Sequence, residues 1–146
     1  MSSLPIRVLL VDDDEDDRLF FAEAIKEIPL DCHLVTFSEG IRLIERLKLG
    51  AELPHVIFLD LNMPIKDGIE CLKEIRQHAS FANLKVVIYS TSFNPESANL
   101  LRDHGANYYV RKPPSFLAIK NIVYHALQLI LGHEKESKDK YVLKLQ

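Results

Sequence analysis

Short apolar runs alternate with helix-period segments along this chain, and that alternation limits the possible folds more than any other feature. The runs are IRVLLV at 6–11, HLVTF around 33–37, HVIFLD at 55–60, KVVIY at 85–89 and NYYV at 107–110. Each is short, largely apolar and rich in β-branched or aromatic residues, as suits strands covered on both faces of a parallel sheet. Strand–helix units in succession, joined by right-handed crossovers, predict an α/β domain with a doubly wound five-stranded parallel sheet. In such a sheet ligands bind outside the carboxyl ends of the strands, so the residues after the first and third strands fall at the functional end.

Two of the intervening segments show a clear helical stripe. Ile69, Leu72, Ile75 and Ala79 share one face, with Glu70, Lys73 and Glu74 opposite, and Ile119, Ile122, Val123, Ala126, Leu127 and Ile130 form the wide apolar face of the last helix. The fourth helix, Pro95 to His104, has a thinner stripe of Ala98, Leu100 and Leu101, with Asn94 as cap and Pro95 at the first helical position.

A chain of 146 residues, 47% hydrophobic, supports one core. The domain is expected over 1–132, followed at 133–146 by a polar tail with no separate output domain. In the tail, Tyr141, Leu143 and Leu145 alternate with Val142, Lys144 and Gln146, which fits either an added strand or a disordered end. Basic residues number 18 against 21 acidic and are scattered, which argues against direct nucleic-acid binding. Cys32 and Cys71 lack metal-ligand spacing and are too few for a disulfide framework, so a reduced, cytoplasmic setting is expected. No apolar run reaches the roughly 18 residues of a membrane span, and the start MSSLPIRVLLV lacks the pattern of an export signal.

The run DDDEDD at 12–17 begins where the first strand ends. Charge runs are usually solvated, but a buried strand delivers Asp12 and Asp13 to the same sheet edge to which HVIFLD delivers Asp60. Asp14 to Asp17 are read as the solvated start of the next helix, favoured there by the helix dipole. Carboxylates about 4 Å apart repel by roughly 4 kcal/mol per pair at an effective dielectric near 20. A hard divalent cation such as Mg²⁺, with a nearby lysine, would offset that repulsion. Asp12, Asp14, Asp16 and Glu23 also fit an EF-hand loop, but Asp17 stands where its sharp turn needs glycine. A haloacid-dehalogenase-like phosphatase would need Thr or Val where Asp16 stands, and a flavodoxin-like cofactor phosphate would be repelled by six acids.

Together these motifs resemble the receiver domains of two-component signalling, over roughly residues 6 to 131. The resemblance rests on Asp12-Asp13 after the first strand, Asp60 in FLDLNMP, Ser90 after VVIY, and Tyr109 and Lys112-Pro113 in YYVRKP. It implies a flavodoxin-like (βα)5 fold with strand order 2-1-3-4-5. It also implies that Asp60 accepts a phosphoryl group from a phosphohistidine, that Asp12, Asp13, Asp60 and the backbone carbonyl of Asn62 hold Mg²⁺, and that Lys112 pairs with Asp60 and then with the phosphoryl group. Ser90 and Tyr109 become the switch, the tyrosine turning from exposed to buried, and the Lys112–Pro113 bond is expected to be cis. Taken singly, Ser90 fits an ordinary strand-end hydroxyl, Tyr109 a packing aromatic and Lys112-Pro113 a loop turn. Serine stands at 90 where threonine is more frequent, and Thr91 where a small alanine is usual, which bears on the lifetime of a phosphorylated state.

The resemblance further implies a response regulator served by a sensor histidine kinase or a histidine phosphotransfer protein, acting on a downstream protein target by phosphorylation-dependent contact, with a homodimer as one possible assembly. A phosphorelay intermediate that passes the group onward is the nearest alternative. The phosphatase comes from a different class.

Overall fold

The computed structural model describes residues 4–50, 52–133 and 140–144. Their order is β1 (Ile6–Val11), α1 (Glu15–Glu27), β2 (Cys32–Phe37), α2 (Gly40–Lys48), β3 (Val56–Leu59), α3 (Gly68–Gln77), a 3-10 turn (Ala79–Phe81), β4 (Lys85–Ser90), α4 (Pro95–Asp103), β5 (Tyr108–Arg111), α5 (Phe116–Ile130) and β6 (Val142–Leu143). Among the described residues the sheet is parallel throughout, in the order β2-β1-β3-β4-β5-β6. The first five strands follow the expected order. The sixth corrects the five-stranded expectation: part of the tail pairs with the edge of β5, because buried Tyr141 and Leu143 give it an apolar face. Residues 134–139 and 145–146 of the tail lie outside the described residues.

Side chains alternate strictly across the sheet and separate two apolar layers. Val8, Leu10, Val56, Phe58, Val87, Tyr89 and Val110 pack against Phe21 and Ala24 of α1 and Ile122, Val123 and Ala126 of α5. Leu9, Val11, Ile57, Leu59, Val86, Ile88 and Tyr109 pack against Leu43 of α2, Leu72 and Ile75 of α3 and Leu101 of α4. The central strands are buried at almost every position, which is why they read as continuous apolar runs.

Local signals set the helix ends. Asp14 caps α1 by accepting from the Asp17 N–H, Asp67 and Glu70 form a capping box at α3, and Asn94 accepts from the Glu96 and Ser97 N–H groups with Pro95 opening α4. Helix α3 stops at Gln77, so Ala79, expected on its stripe, begins the 3-10 turn instead. Arg76 ties this region down by donating to the carbonyls of Gly105, Phe81 and Leu84 and to Asn107 Oδ1.

Candidate functional site

Register brings the acidic residues together. Leu10 pairs with Phe58 across β1 and β3, and the ladder runs past the strand ends through hydrogen bonds from Asp60 N–H to the Val11 carbonyl and from Asp12 N–H to the Phe37 carbonyl. With a two-residue side-chain period, Asp12 and Asp60 continue the face of Leu10 and Phe58 and arrive side by side. Lys112 stands in the same relation to Val110 of β5, held by its N–H on the Ser90 carbonyl. Carboxylate oxygens of Asp12, Asp13 and Asp60 lie within 4.8 Å of one another, Asp12 and Asp60 buried and Asp13 exposed.

The Lys112 ammonium is 8% exposed and sits 2.7 Å from Asp12 Oδ2, 2.8 Å from Asp17 Oδ2 and 3.8 Å from Asp60 Oδ1. Its tightest partners are therefore Asp12 and Asp17 rather than the expected Asp60. Asp17 is thus part of the site and not only a solvated helix-start residue. Asp17 lies in the first turn of α1, close enough along the chain to the end of β1 for its carboxylate to return to the same edge. The ammonium also lies 5.5 Å from the centre of the Tyr89 ring. The Lys112–Pro113 bond is trans, against the expectation, as no peptide bond among the described residues is cis.

Burial is the main influence on the carboxyls. It pushes Asp60 up to about 7, helped by the charges of Asp12 and Asp13 and opposed by Lys112 and a hydrogen bond from the Asn62 N–H. Asp12 is also raised by burial, against the adjacent Lys112 ammonium and a hydrogen bond from the Asp14 N–H. For Lys112 burial is the largest single influence and acts downward, yet the combined hydrogen bonds and charges of Asp12, Asp17 and Asp60 leave it raised.

Despite the close ammonium, Asp12 Oδ2 has no well-aligned hydrogen bond. A buried carboxylate oxygen without such a bond, next to two further carboxylates, is the donor set a hard divalent cation accepts, so the residues present fit one. The run is not an EF-hand loop, because helix α1 occupies Glu15–Glu27.

On the other side of Asp60, Ser90 is fully buried at the end of β4, its Oγ 3.1 Å from Ser92 Oγ and accepting from the Ser92 N–H at 3.3 Å. Tyr109, 1% exposed, occupies the buried one of its two expected positions and donates from its hydroxyl to the Ser92 carbonyl. Thr91 is exposed. Neither Ser92 nor Gly68 was evident from the sequence. A Cβ at Gly68 would lie 2.3 Å from the Asp60 carbonyl oxygen, so the start of α3 approaches the Asp60 backbone as only glycine allows.

Residues 8–124 match the response regulator receiver domain family. The chain belongs to that family. Response regulator Rcp1 of Synechocystis sp. is 32% identical over 116 residues, covering 76% of this chain and 79% of Rcp1. The crystal structure of the phosphorylated cyanobacterial phytochrome response regulator RcpA superposes with a TM-score of 0.82 at 28% identity, over 90% of this chain and 98% of that one. The Mn(2+)-bound form of Rcp1 superposes with a TM-score of 0.79 at 27% identity, over 91% and 99% of the two chains. Receiver domains are signalling phosphoacceptors rather than classical enzymes and interact with histidine kinases or phosphotransfer proteins, which sets the phosphatase alternative aside. No helix among the described residues is long and apolar enough to cross a membrane.

Proposed function

We propose that this receiver domain takes a phosphoryl group on Asp60 from a phosphohistidine of a sensor kinase or phosphotransfer protein and signals to a protein target through the face around α4, β5 and α5. The observation that carries this reading is the placement of Asp60. It is a buried carboxylate at the carboxyl edge, with two further carboxylates within 4.8 Å and an ammonium 3.8 Å away.

Asp12, Asp13, Asp60 and the Asn62 carbonyl would hold Mg²⁺, which when bound supplies positive charge to the carboxylates and to phosphoryl oxygens. The protein's own contribution is position and charge. A carboxylate oxygen of Asp60 attacks phosphorus, the P–N bond to histidine breaks, and its electron pair stays on the imidazole nitrogen. Burial, with the charges of Asp12 and Asp13, holds Asp60 near 7 against the pull of Lys112, so part of it is protonated at neutral pH, and cationic partners favour the nucleophilic carboxylate. Lys112 lies on a flexible stem between three carboxylates, and a short swing from Asp12 and Asp17 carries it to a phosphoryl oxygen. Ser90, buried at the end of the neighbouring strand, gains an anionic acceptor for its hydroxyl only when the group is present. That differential contact biases the β4–α4 loop and Tyr109.

Phosphoramidate, a small donor with the P–N bond of phosphohistidine, tests the reading. With Mg²⁺ present, the phosphorus NMR spectrum of the mixture is expected to gain one protein acyl-phosphate signal in wild type and none in Asp60→Asn. An equal signal in both proteins would remove Asp60 from the role.

A further inference from the structure

We propose that Tyr141, leading into β6, holds Tyr109 in its buried position, so that docking of the tail and phosphorylation of Asp60 favour each other. The proposal rests on Tyr109 being a responsive residue of the Asp60 site, and it adds the tail to that response.

The contacts form one continuous path. Ser90, at the end of the strand next to the one that leads into Asp60, bonds Ser92, whose carbonyl accepts the Tyr109 hydroxyl. On its other side the Tyr109 N–H donates to the Tyr141 carbonyl at 3.0 Å, and the two rings meet edge-on with centroids 6.4 Å apart. Phe93 closes the remaining side of the Tyr109 ring at 5.3 Å. Tyr141 is itself anchored. It is 5% exposed and the Arg102 guanidinium of α4 lies 5.5 Å from its ring centre.

The direction of coupling follows from these contacts. Tyr141 touches the buried position of the Tyr109 ring, and a ring turned out to solvent would forfeit the edge-on contact. Whatever favours the buried ring therefore favours the docked tail, and by reciprocity a docked tail favours whatever draws the ring inward. Among the described residues β6 pairs with β5 through Tyr109–Val142 and Val110–Leu143, so this short strand gains part of its hold from Tyr141. The Tyr141 hydroxyl has no hydrogen-bond partner among the described residues, so the ring and the backbone carbonyl carry the effect rather than the phenol.

The test uses the full chain and beryllofluoride with Mg²⁺ as a phosphoryl mimic at Asp60, its binding read by fluorine NMR. In wild type, beryllofluoride is expected to slow amide exchange of Tyr109 and of residues 141–143 together. Tyr141→Ala is expected to raise the half-saturating beryllofluoride concentration about 3- to 10-fold, the worth of one aromatic contact, and Tyr141→Phe to restore it. A purely structural Tyr141 would lower thermal stability without moving that midpoint. If Tyr141→Ala does not fold, the wild-type exchange experiment decides alone. Beryllofluoride binding with unchanged tail exchange and an unchanged midpoint would overturn the clamp and leave the Asp60 reading standing. No binding to wild type would overturn the Asp60 reading and the clamp with it.

Discussion

At the ends of β1 and β3 the site is made of charge. Asp12 and Asp60 are buried, Asp13 flanks them, and Lys112 reaches across from the end of β5 to be held at 2.7 and 2.8 Å by Asp12 and Asp17. At the ends of β4 and β5 the same sheet edge is made of hydroxyls and rings: Ser90, Ser92, Tyr109, Phe93 and, from the tail, Tyr141. The first half stores repulsion that a cation relieves. The second holds neutral contacts of about 1 kcal/mol each, which a new anionic acceptor is strong enough to rearrange. On the proposed function, chemistry falls to the charged half and response to the neutral one, and the two halves should answer differently to mutation, pH and metal.

Removing Lys112 should have the largest effect. Lys112→Ala leaves Asp12 and Asp60 buried without their cation, and at neutral pH without metal it is expected to lower unfolding stability by about 3–5 kcal/mol in urea, with Mg²⁺ returning part of the loss. A loss under about 1 kcal/mol would mean that the charged half is not internally compensated. Gly68→Ala should cost about 1–3 kcal/mol and weaken phosphoryl uptake as well, because the methyl displaces the Asp60 backbone. Uptake unchanged at reduced stability would show that the edge tolerates the shift.

The pH dependence separates the halves further. Asp60 is raised from an ordinary 3.8 to about 7, so the folded protein holds this proton more tightly than the unfolded chain. Its contribution to stability is therefore present below about 4 and lost as pH rises to about 7. Asp60→Asn lacks that loss. Without metal its stability relative to wild type should grow through this window by up to about 4 kcal/mol and then level off, as denaturant titrations at several pH values would show. A constant difference would contradict the burial argument. The smallest effect is expected at Tyr109→Phe, which removes the bond to the Ser92 carbonyl for about 1 kcal/mol and should do so equally at every pH in that window, with or without Mg²⁺. Metal dependence at this position would mean that the two halves are not distinct.

The charged half was largely legible in the sequence, because Asp12, Asp60 and Lys112 directly follow strands and the parallel register does the rest. Asp12, Asp13 and Asp60 could be placed from the ends of IRVLLV and HVIFLD alone. Asp17 was harder to assign, since a helix-start acid looks solvated until a lysine from a strand end 95 positions later reaches it. The other half was less legible for the same reason. Ser90 ends β4 and Tyr109 lies within β5, but Ser92 acts through its backbone carbonyl, and Tyr141 belongs to a tail whose alternation fits a strand or a loose end equally well. Gly68 escaped notice because its role is a close backbone approach, which composition and periodicity do not reveal. In the fold, the two-layer sheet followed from the apolar runs, whereas the alternation around the two-residue sixth strand is too short to decide between strand and loose end.

The central claim is that Asp60 takes a phosphoryl group because the charged half assembles around it. Intact mass of wild type and Asp60→Asn, after incubation with acetyl phosphate in the presence of Mg²⁺ or of a chelator, tests it most directly. The account predicts one added phosphoryl group in wild type with Mg²⁺ and none in the other samples. An adduct on Asp60→Asn, or none on wild type when a phosphate-release assay also shows no turnover, would contradict it.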